Sequence, residues 1–529
     1  MVKGFRQIAL LTAFSRVLGL VRDMAFSYFL GASGVMDGWV IGFKIPNLTR
    51  RLFGEGAASA SFIPVYSEQL QKDRAGADRL ACTVVTVVFL ILAGVVLIGE
   101  IGVWAYYAFF STLDSTKLMF GLTGIMLPYM VLVCVVALLG GILNSHRHFA
   151  APAAAPIVLN VFIISTLCFT GWVLVMAPTK QVFVVAAAVI TAGMVQIAIQ
   201  LPPLRRRGVS IRPAWHIHSD AFKKILYLMG PMVLGLTVTQ INTLADDVIA
   251  KCLSGSSDKG EFFTWLGSQI RYPLWDGAVS KLYYSQRLYQ FPLGVLGISL
   301  ATAIFPVMSA EAAKKDFDAL LRTISRGLRG AVFVAIPATV GLILIARPLV
   351  AAVFEHGQFT NIDTRATAWT LSFYALGLCG YFCQQITTRA FYSMQDSKMP
   401  ALTAVIAVFV NIWLNLTLVW FMKTAGLALS TAICSYMQVL ILVFVLQARF
   451  GPSLLAGLPI TAAKTVIATV LMGLAGWTIL TAMRPLPLSF RFDVLRLVVV
   501  VPTAIIVYAA AAKLMKIKML SLVTGKSGK

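Results

Sequence analysis

An apolar run with arginines at its centre constrains this chain more than any other feature. Residues 5–30 form one hydrophobic stretch of membrane-spanning length, with Arg16 and Arg22 near its middle. A charge at that depth costs at least roughly 2.5–3.5 kcal/mol, and such a residue normally faces a partner or a water-filled cavity. The chain must therefore fold so that neighbouring helices or water surround these side chains. Fixed positive charge inside a membrane points in turn to an anionic passenger.

The rest of the chain is built for the same solvent. Of 529 residues, 59% are hydrophobic and only 12% charged, too few for a soluble fold of this length. Apolar runs of about 20 residues recur from end to end, which predicts an all-α polytopic membrane protein of about fourteen transmembrane helices. They begin near Phe5, Met36, Ala81, Met119, Pro152, Val182, Phe222, Val279, Leu321, Arg365, Met399, Gly426, Leu458 and Asp493. The first run carries Arg16, Arg22 and Asp23 and lacks a small-residue cleavage site, so it reads as a retained span and not a cleaved signal.

The net charge of +23 does not indicate nucleic acid, because the excess sits in short loops between spans. The richest are Arg205 to Arg212 with Lys223 and Lys224, Lys314 to Arg329, and the tail with Lys513, Lys516 and Lys518. Placing both termini in the cytoplasm puts most of this charge inside, as topology requires. The cysteines lie mostly within spans as small packing residues, and Cys379 and Cys383 have neither zinc nor redox spacing. The pairs His146/His148 and His216/His218 lack further ligands for a metal. Residues 524–527 lack the upstream glycine of a phosphate-binding loop, so no ATPase is expected.

The chain also repeats itself. Residues 61–67 recur as 303–309, each with a central proline, Pro64 and Pro306. The passage from Ser145 through Pro152 to Asn160 resembles that from Ser393 through Pro400 to Asn411, and Gln200 before a basic loop matches Gln447. All three matches share an offset of about 240–250 residues, the mark of two tandem units. Six spans per unit give both halves the same orientation, an arrangement that encloses a cavity at the interface and works by rocking. The expected divisions are a six-helix lobe at 1–208, a second at 209–451, and two unduplicated helices with a basic tail at 452–529.

Charge inside the spans defines the candidate site. The second span carries Asp37 and Lys44 on one helix face, followed by Pro46, Arg50 and Arg51. Pro46, with Gly54 and Gly56, predicts a broken helix, which is tolerated at membrane depth where it lines a cavity. A guanidinium such as that of Arg50 fits phosphate oxygens bidentately; snorkelling at a helix end is the alternative for Arg50 and Arg51. Asp23 is close enough in sequence to pair with Arg22 or Arg16. In the other half Arg287 stands between Gln286 and Gln290. A second polar cluster comprises Asp246, Asn411, Asn415 and Thr431, oxygen ligands that suit a hard cation. Hydrogen-bonding glue between helices remains open for the same residues.

The stretches from Phe14 to Asp23, from Phe43 to Ala57, from Arg287 to Gly297 and from Phe391 to Pro400, together with Asp37, resemble the MurJ (MviN) lipid II flippase family. That family belongs to the multidrug/oligosaccharidyl-lipid/polysaccharide (MOP) exporter superfamily, and the resemblance covers essentially the whole chain. It implies export of lipid II, the undecaprenyl-pyrophosphate-linked precursor of peptidoglycan, across the bacterial cytoplasmic membrane, alongside the cell-wall synthesis machinery. It also implies that Arg16, Arg22, Arg50 and Arg287 line the cavity, with Ser15, Asp37 and Lys44 as further substrate contacts. Asp23, Glu55, Gln286 and Gln290 fall at pairing or gating positions, and a sodium site used by some members falls on Asp246, Asn411, Asn415 and Thr431. In the family the two extra helices form a groove for the polyprenyl tail. Many members have acidic residues where this chain has Gln286 and Gln290, so a gating salt bridge does not carry over. Asn415 likewise replaces an aspartate of sodium-binding members, and the aromatic loop 254–277 is longer than the family pattern, as for an interfacial anchor.

The expected activity is transport by alternating access without bond chemistry, driven by a gradient. An inside-negative potential favours anion export by about 2.3 kcal/mol per charge per 100 mV. A flippase for another polyprenyl-linked glycan is the nearest alternative. A multidrug exporter would want an acidic, aromatic pocket, and a scaffold would leave the intramembrane charges without a role.

Overall fold

The computed structural model describes residues 2–50, 61–109 and 113–520. The chain divides into two compact units, one of residues 1–251 with 255–279 and the other of 252–254 with 280–529.

The first unit opens with α1 (Val2–Leu30), α2 (Gly34–Thr49), α3 (Ile63–Lys72), α4 (Arg74–Phe109) and α5 (Asp114–Met126). It continues with α6 (Tyr129–Ser145), α7 (Ala150–Cys168), α8 (Pro178–Ala198), α9 (Leu201–Arg205) and α10 (Asp220–Cys252). Its centre is α5 with α6, a pair whose most apolar window is 78% buried, against 39% for α4 and α8 and 28% for α7. Close approach there relies on small residues, as in membrane bundles generally. A Cβ on Gly42 of α2 would come within 2.8 Å of the Met126 methyl and 3.3 Å of the Thr123 amide on α5. Turns are set locally: the Ser33 hydroxyl caps α2 by accepting from the Met36 amide.

The second unit comprises α11 (Ala278–Pro292), α12 (Ile298–Ala313), α13 (Phe317–Leu344), α14 (Ala346–Phe354) and α15 (Asn361–Leu376). Then follow α16 (Leu378–Ser393), α17 (Lys398–Met422), α18 (Thr424–Phe450), α19 (Leu458–Ala482) and α20 (Phe490–Leu514). Thr360 and Asp363 form a reciprocal capping box at the start of α15. The helices α13, α16 and α18 pack together, while α19 lies on α13 and α20 on both α19 and α14.

Ten helical segments among the described residues are long and apolar enough to cross a membrane. They account for ten of the expected spans. The other four fall on α1, α2, α10 and the pair α15–α16, all of which are helical. α1 carries Lys3, Arg6, Arg16, Arg22 and Asp23, and α15 and α16 are 16-residue pieces separated at Gly377.

Two expectations need correction. The helix does not break at Pro46: α2 runs through it to Thr49, because a proline in the last turn removes only one intrahelical hydrogen bond. Gly54, Gly56, Arg51 and Glu55 lie outside the described residues. The boundary expected at 208 also shifts, because α10 packs with the first unit. Its Lys224 meets Glu68 of α3 at 2.9 Å, and its Asp247 pairs with Lys44 of α2. Lys72 and Lys224 together hold the Glu68 carboxyl down to about 2.

The aromatic loop folds as well. Phe262–Trp265 pairs antiparallel with Ser268–Arg271 across a turn in which Leu266 and Gly267 both have positive φ, as a type I′ hairpin turn requires. The tip is open, with Leu266 93% exposed, but the base is tied into the first unit. The Gly277 amide donates to Asp37 at 2.8 Å, Lys251 meets Asp276 at 3.1 Å, and the Ser115 amide donates to Asp258 at 2.9 Å.

Candidate functional site

The structure places the α1 cations in two different settings. Arg16 is exposed, among the exposed apolar residues Phe14, Val17 and Leu20. Arg22 is held. Its Nε and Nη2 donate to one oxygen of Asp23 at 3.1 and 2.8 Å, and Nη1 donates to the Asn160 amide oxygen on α7 at 3.1 Å. The Asn160 NH2 in turn donates to the Ser15 carbonyl at 3.3 Å. Packing of α1 on α7 thus builds a polar cluster of Ser15, Arg22, Asp23 and Asn160 within two apolar helices. Such a cluster needs full hydrogen bonding, because an unpaired charge in a low dielectric is expensive. An incoming phosphate would have to compete with Asp23 for the guanidinium.

On α2 the two charges expected on one face take separate partners. Asp37 is fully buried and accepts from Gly277 at the base of the hairpin. Lys44 pairs with Asp247 and also donates to the Thr243 carbonyl, with side-chain exposures of 20% for Lys44 and 3% for Asp247. Its ammonium is therefore committed to α10 in this conformation. Arg50 closes the last turn of α2, where its Nε donates to the Asn47 side-chain oxygen at 3.0 Å.

In the second unit, α11 carries a cation set in tyrosines. The Arg287 guanidinium lies 4.6 Å from the ring centroid of Tyr283, one turn earlier, and donates to its hydroxyl at 3.1 Å. Gln286 donates to the Tyr374 hydroxyl at 3.0 Å, so a neutral hydrogen bond occupies a position where the family resemblance places an acid. Gln290 is half-buried on the same helix. Lys281 reaches Asp363 at 3.2 Å and so ties the start of α11 to the capped end of α15.

Of the second polar cluster, Asp246 is buried in the first unit, while Asn411 and Asn415 are buried on α17. The Asn415 amide oxygen accepts from the Ser430 hydroxyl on α18, and Thr431 donates to the Leu427 carbonyl at 3.1 Å. The two amides and the hydroxyl of the second unit are hard oxygen donors, of a kind suited to an alkali cation more than to a transition metal. The hydrogen bond of Asn415 to α18 is equally that of interhelical glue.

Sequence reasoning assigned no site role to Asn160, Asp247, Tyr283 or Lys281. Their partners are 138 residues away for Asn160 and 203 for Asp247, and no local spacing signals such contacts. Tyr283 was within reach, since an aromatic four residues before an arginine shares its helix face.

The profile of the lipid II flippase MurJ family matches residues 26–494, nearly the whole helical array. The chain belongs to the MurJ family. A probable lipid II flippase MurJ of Vibrio cholerae is 34% identical over 452 residues, covering 82% of this chain and 81% of the relative. Among solved structures, a lipid II flippase MurJ in an inward closed conformation superposes with a TM-score of 0.74 at 24% identity. That match covers 96% of this chain and 98% of the other. An inward-facing multidrug transporter of the MATE family in the MOP superfamily gives a TM-score of 0.66 at 13% identity, covering 85% and 96%. These likenesses show that this MurJ family member shares the fold of both matched structures.

Proposed function

We propose that this chain is a lipid II flippase. It moves the undecaprenyl-pyrophosphate-linked peptidoglycan precursor from the inner to the outer leaflet of the bacterial cytoplasmic membrane. The observation that carries the reading is the polar cluster around Arg22, built into apolar α1 and α7 of a chain that belongs to the MurJ family. No bond is made or broken, so the protein is a transporter.

Fourteen spans with both termini cytoplasmic, arranged as two six-span lobes and an appended pair, provide the alternating-access machine. Arg16, Arg22, Arg50 and Arg287 each contact the diphosphate in the course of the cycle. Arg16 is exposed and suited to capture. Arg22 exchanges Asp23 for phosphate, a substitution of one anion for another that avoids leaving the guanidinium uncompensated. Return of Asp23 then favours release, which supplies the differential affinity that any driven conformational change requires. Asp246, Asn411, Asn415 and Thr431 are the residues to hold sodium, which would contribute a compensating positive charge and a gradient to draw on.

The test is complementation of a strain depleted of its lipid II flippase. The wild-type chain should restore growth, and Arg16→Ala and Arg22→Ala should fail at normal protein levels. Full rescue by both variants would rule out the assigned role of these arginines.

A further inference from the structure

The connection between the two appended helices borders a basic cavity apart from the candidate site described above. α19 and α20 are joined by residues 483–489, and Arg496 of α20 fixes the shape of that turn. It is buried, meets Asp493 at 2.7 Å, and donates from Nη2 to the carbonyls of Leu486 at 2.8 Å and Met483 at 3.3 Å. The Arg496 charge is thus compensated from within. Beside it, where α14 packs on α20, lies a cavity of about 220 Å³.

Two further arginines line that cavity, Arg347 of α14 and Arg484 of the turn. Both are exposed, and among the described residues neither has a salt-bridge partner. The one remaining carboxylate, Glu355, accepts hydrogen bonds from the Asn361 amide at 3.2 and 3.4 Å. Three guanidiniums against two carboxylates leave the cavity with an excess of positive charge. Its other wall is apolar, from Leu480 and Leu488. Beyond that wall α19 presents Trp477, Leu474 and Leu471, all about half exposed on the lipid-facing surface of a membrane span.

A cationic niche at the end of two spans, continuous with a lipid-facing apolar strip, selects an amphiphile whose anionic group sits at headgroup depth. Guanidiniums bind phosphate oxygens through charge-assisted, forked hydrogen bonds, and basic pockets between transmembrane helices take lipid head groups. We propose that the cavity between α14 and the α19–α20 turn is a lipid-phosphate site, held by Arg347 and Arg484. The phosphate comes either from an anionic bilayer phospholipid or from a polyprenyl diphosphate. The proposal needs only that the chain is embedded in a membrane, so it stands apart from the flippase reading.

Native mass spectrometry of the full chain tests it, with phosphatidylglycerol as probe and phosphatidylcholine as the neutral control. The wild type should retain phosphatidylglycerol over phosphatidylcholine. The double variant Arg347→Gln/Arg484→Gln should lose that retention by more than about tenfold, as expected for loss of two charge-assisted contacts. Arg491→Gln, an exposed arginine in the first turn of α20 and outside the cavity lining, should not. Glu355→Gln removes negative charge from the cavity and should raise retention. Undecaprenyl diphosphate added in a second arm separates the sources. If it displaces phosphatidylglycerol from the wild type but not from the double variant, the site takes the polyprenyl lipid; if it leaves phosphatidylglycerol in place, the site belongs to the bilayer phospholipid. Equal phosphatidylglycerol retention by the wild type and a folded double variant overturns the proposal.

Discussion

Lys44 and Asp247 show what a single buried ion pair does in this protein. Their contact joins α2 to α10 across 203 residues of sequence, with Asp247 almost wholly buried. Removing one partner leaves the other desolvated and uncompensated, which costs about 3–5 kcal/mol, whereas replacing both with apolar residues is far milder. Asp247→Ala should therefore lower the thermal unfolding midpoint sharply in detergent, while Lys44→Met/Asp247→Leu should recover most of the loss. At this scale the sequence was informative where partners are adjacent and mute where they are distant. Arg22 beside Asp23 is legible as a pair from one line of sequence. That Asn160 completes the cluster follows only from packing α1 on α7, and nothing in the composition of α7 signals which of its polar residues turns inward.

Among the elements, the segment between α10 and α11 departs most from its sequence reading. Its aromatics predicted an interfacial anchor; the tip is indeed open, yet the base is locked to α2 and α5. The turn was illegible because Leu266-Gly267 is not among the usual hairpin pairs, and only the positive φ of both residues reveals it. Gly277 is the pivot. It has φ +86, and a Cβ there would clash with the Ala32 carbonyl. Gly277→Ala should cost at least roughly 1–2 kcal/mol from the left-handed backbone alone. It should also release the hydrogen bond to Asp37, seen as faster amide exchange across residues 255–277.

Docking at Ser115 should depend on pH in a defined direction. Partial burial raises the Asp258 pKa, but hydrogen bonds from Ser115 and Ser256 outweigh it and hold the carboxyl well below its ordinary range. A depressed carboxylate contributes stability above its unfolded value of about 3.9 and loses it as pH falls toward the folded value. Protection of the Ser115 amide should be flat from neutral pH down to about that value and decline below it.

For the molecule as a whole, the duplicated pattern was the most legible feature, because it needs only a shared offset. The matched segments fall on comparable elements: Pro64 on α3 and Pro306 on α12, Asn160 on α7 and Asn411 on α17, both asparagines buried. The boundary between units was not legible. It depends on where α10 finds its contacts, and those are the long-range pairs to Glu68 and Lys44. The membership in the MurJ family and the arginines of the two units together make anionic export the central claim.

Reconstituted flipping measures that claim most directly. Proteoliposomes carrying the wild type should expose a fluorescent polyprenyl-diphosphate glycolipid to an external quencher, and Arg287→Ala should slow this by about 10- to 100-fold, the loss of one charge-assisted phosphate contact of roughly 1.5–3 kcal/mol. An Arg287→Ala protein that is folded, inserted in equal amount and flips at the wild-type rate would contradict it.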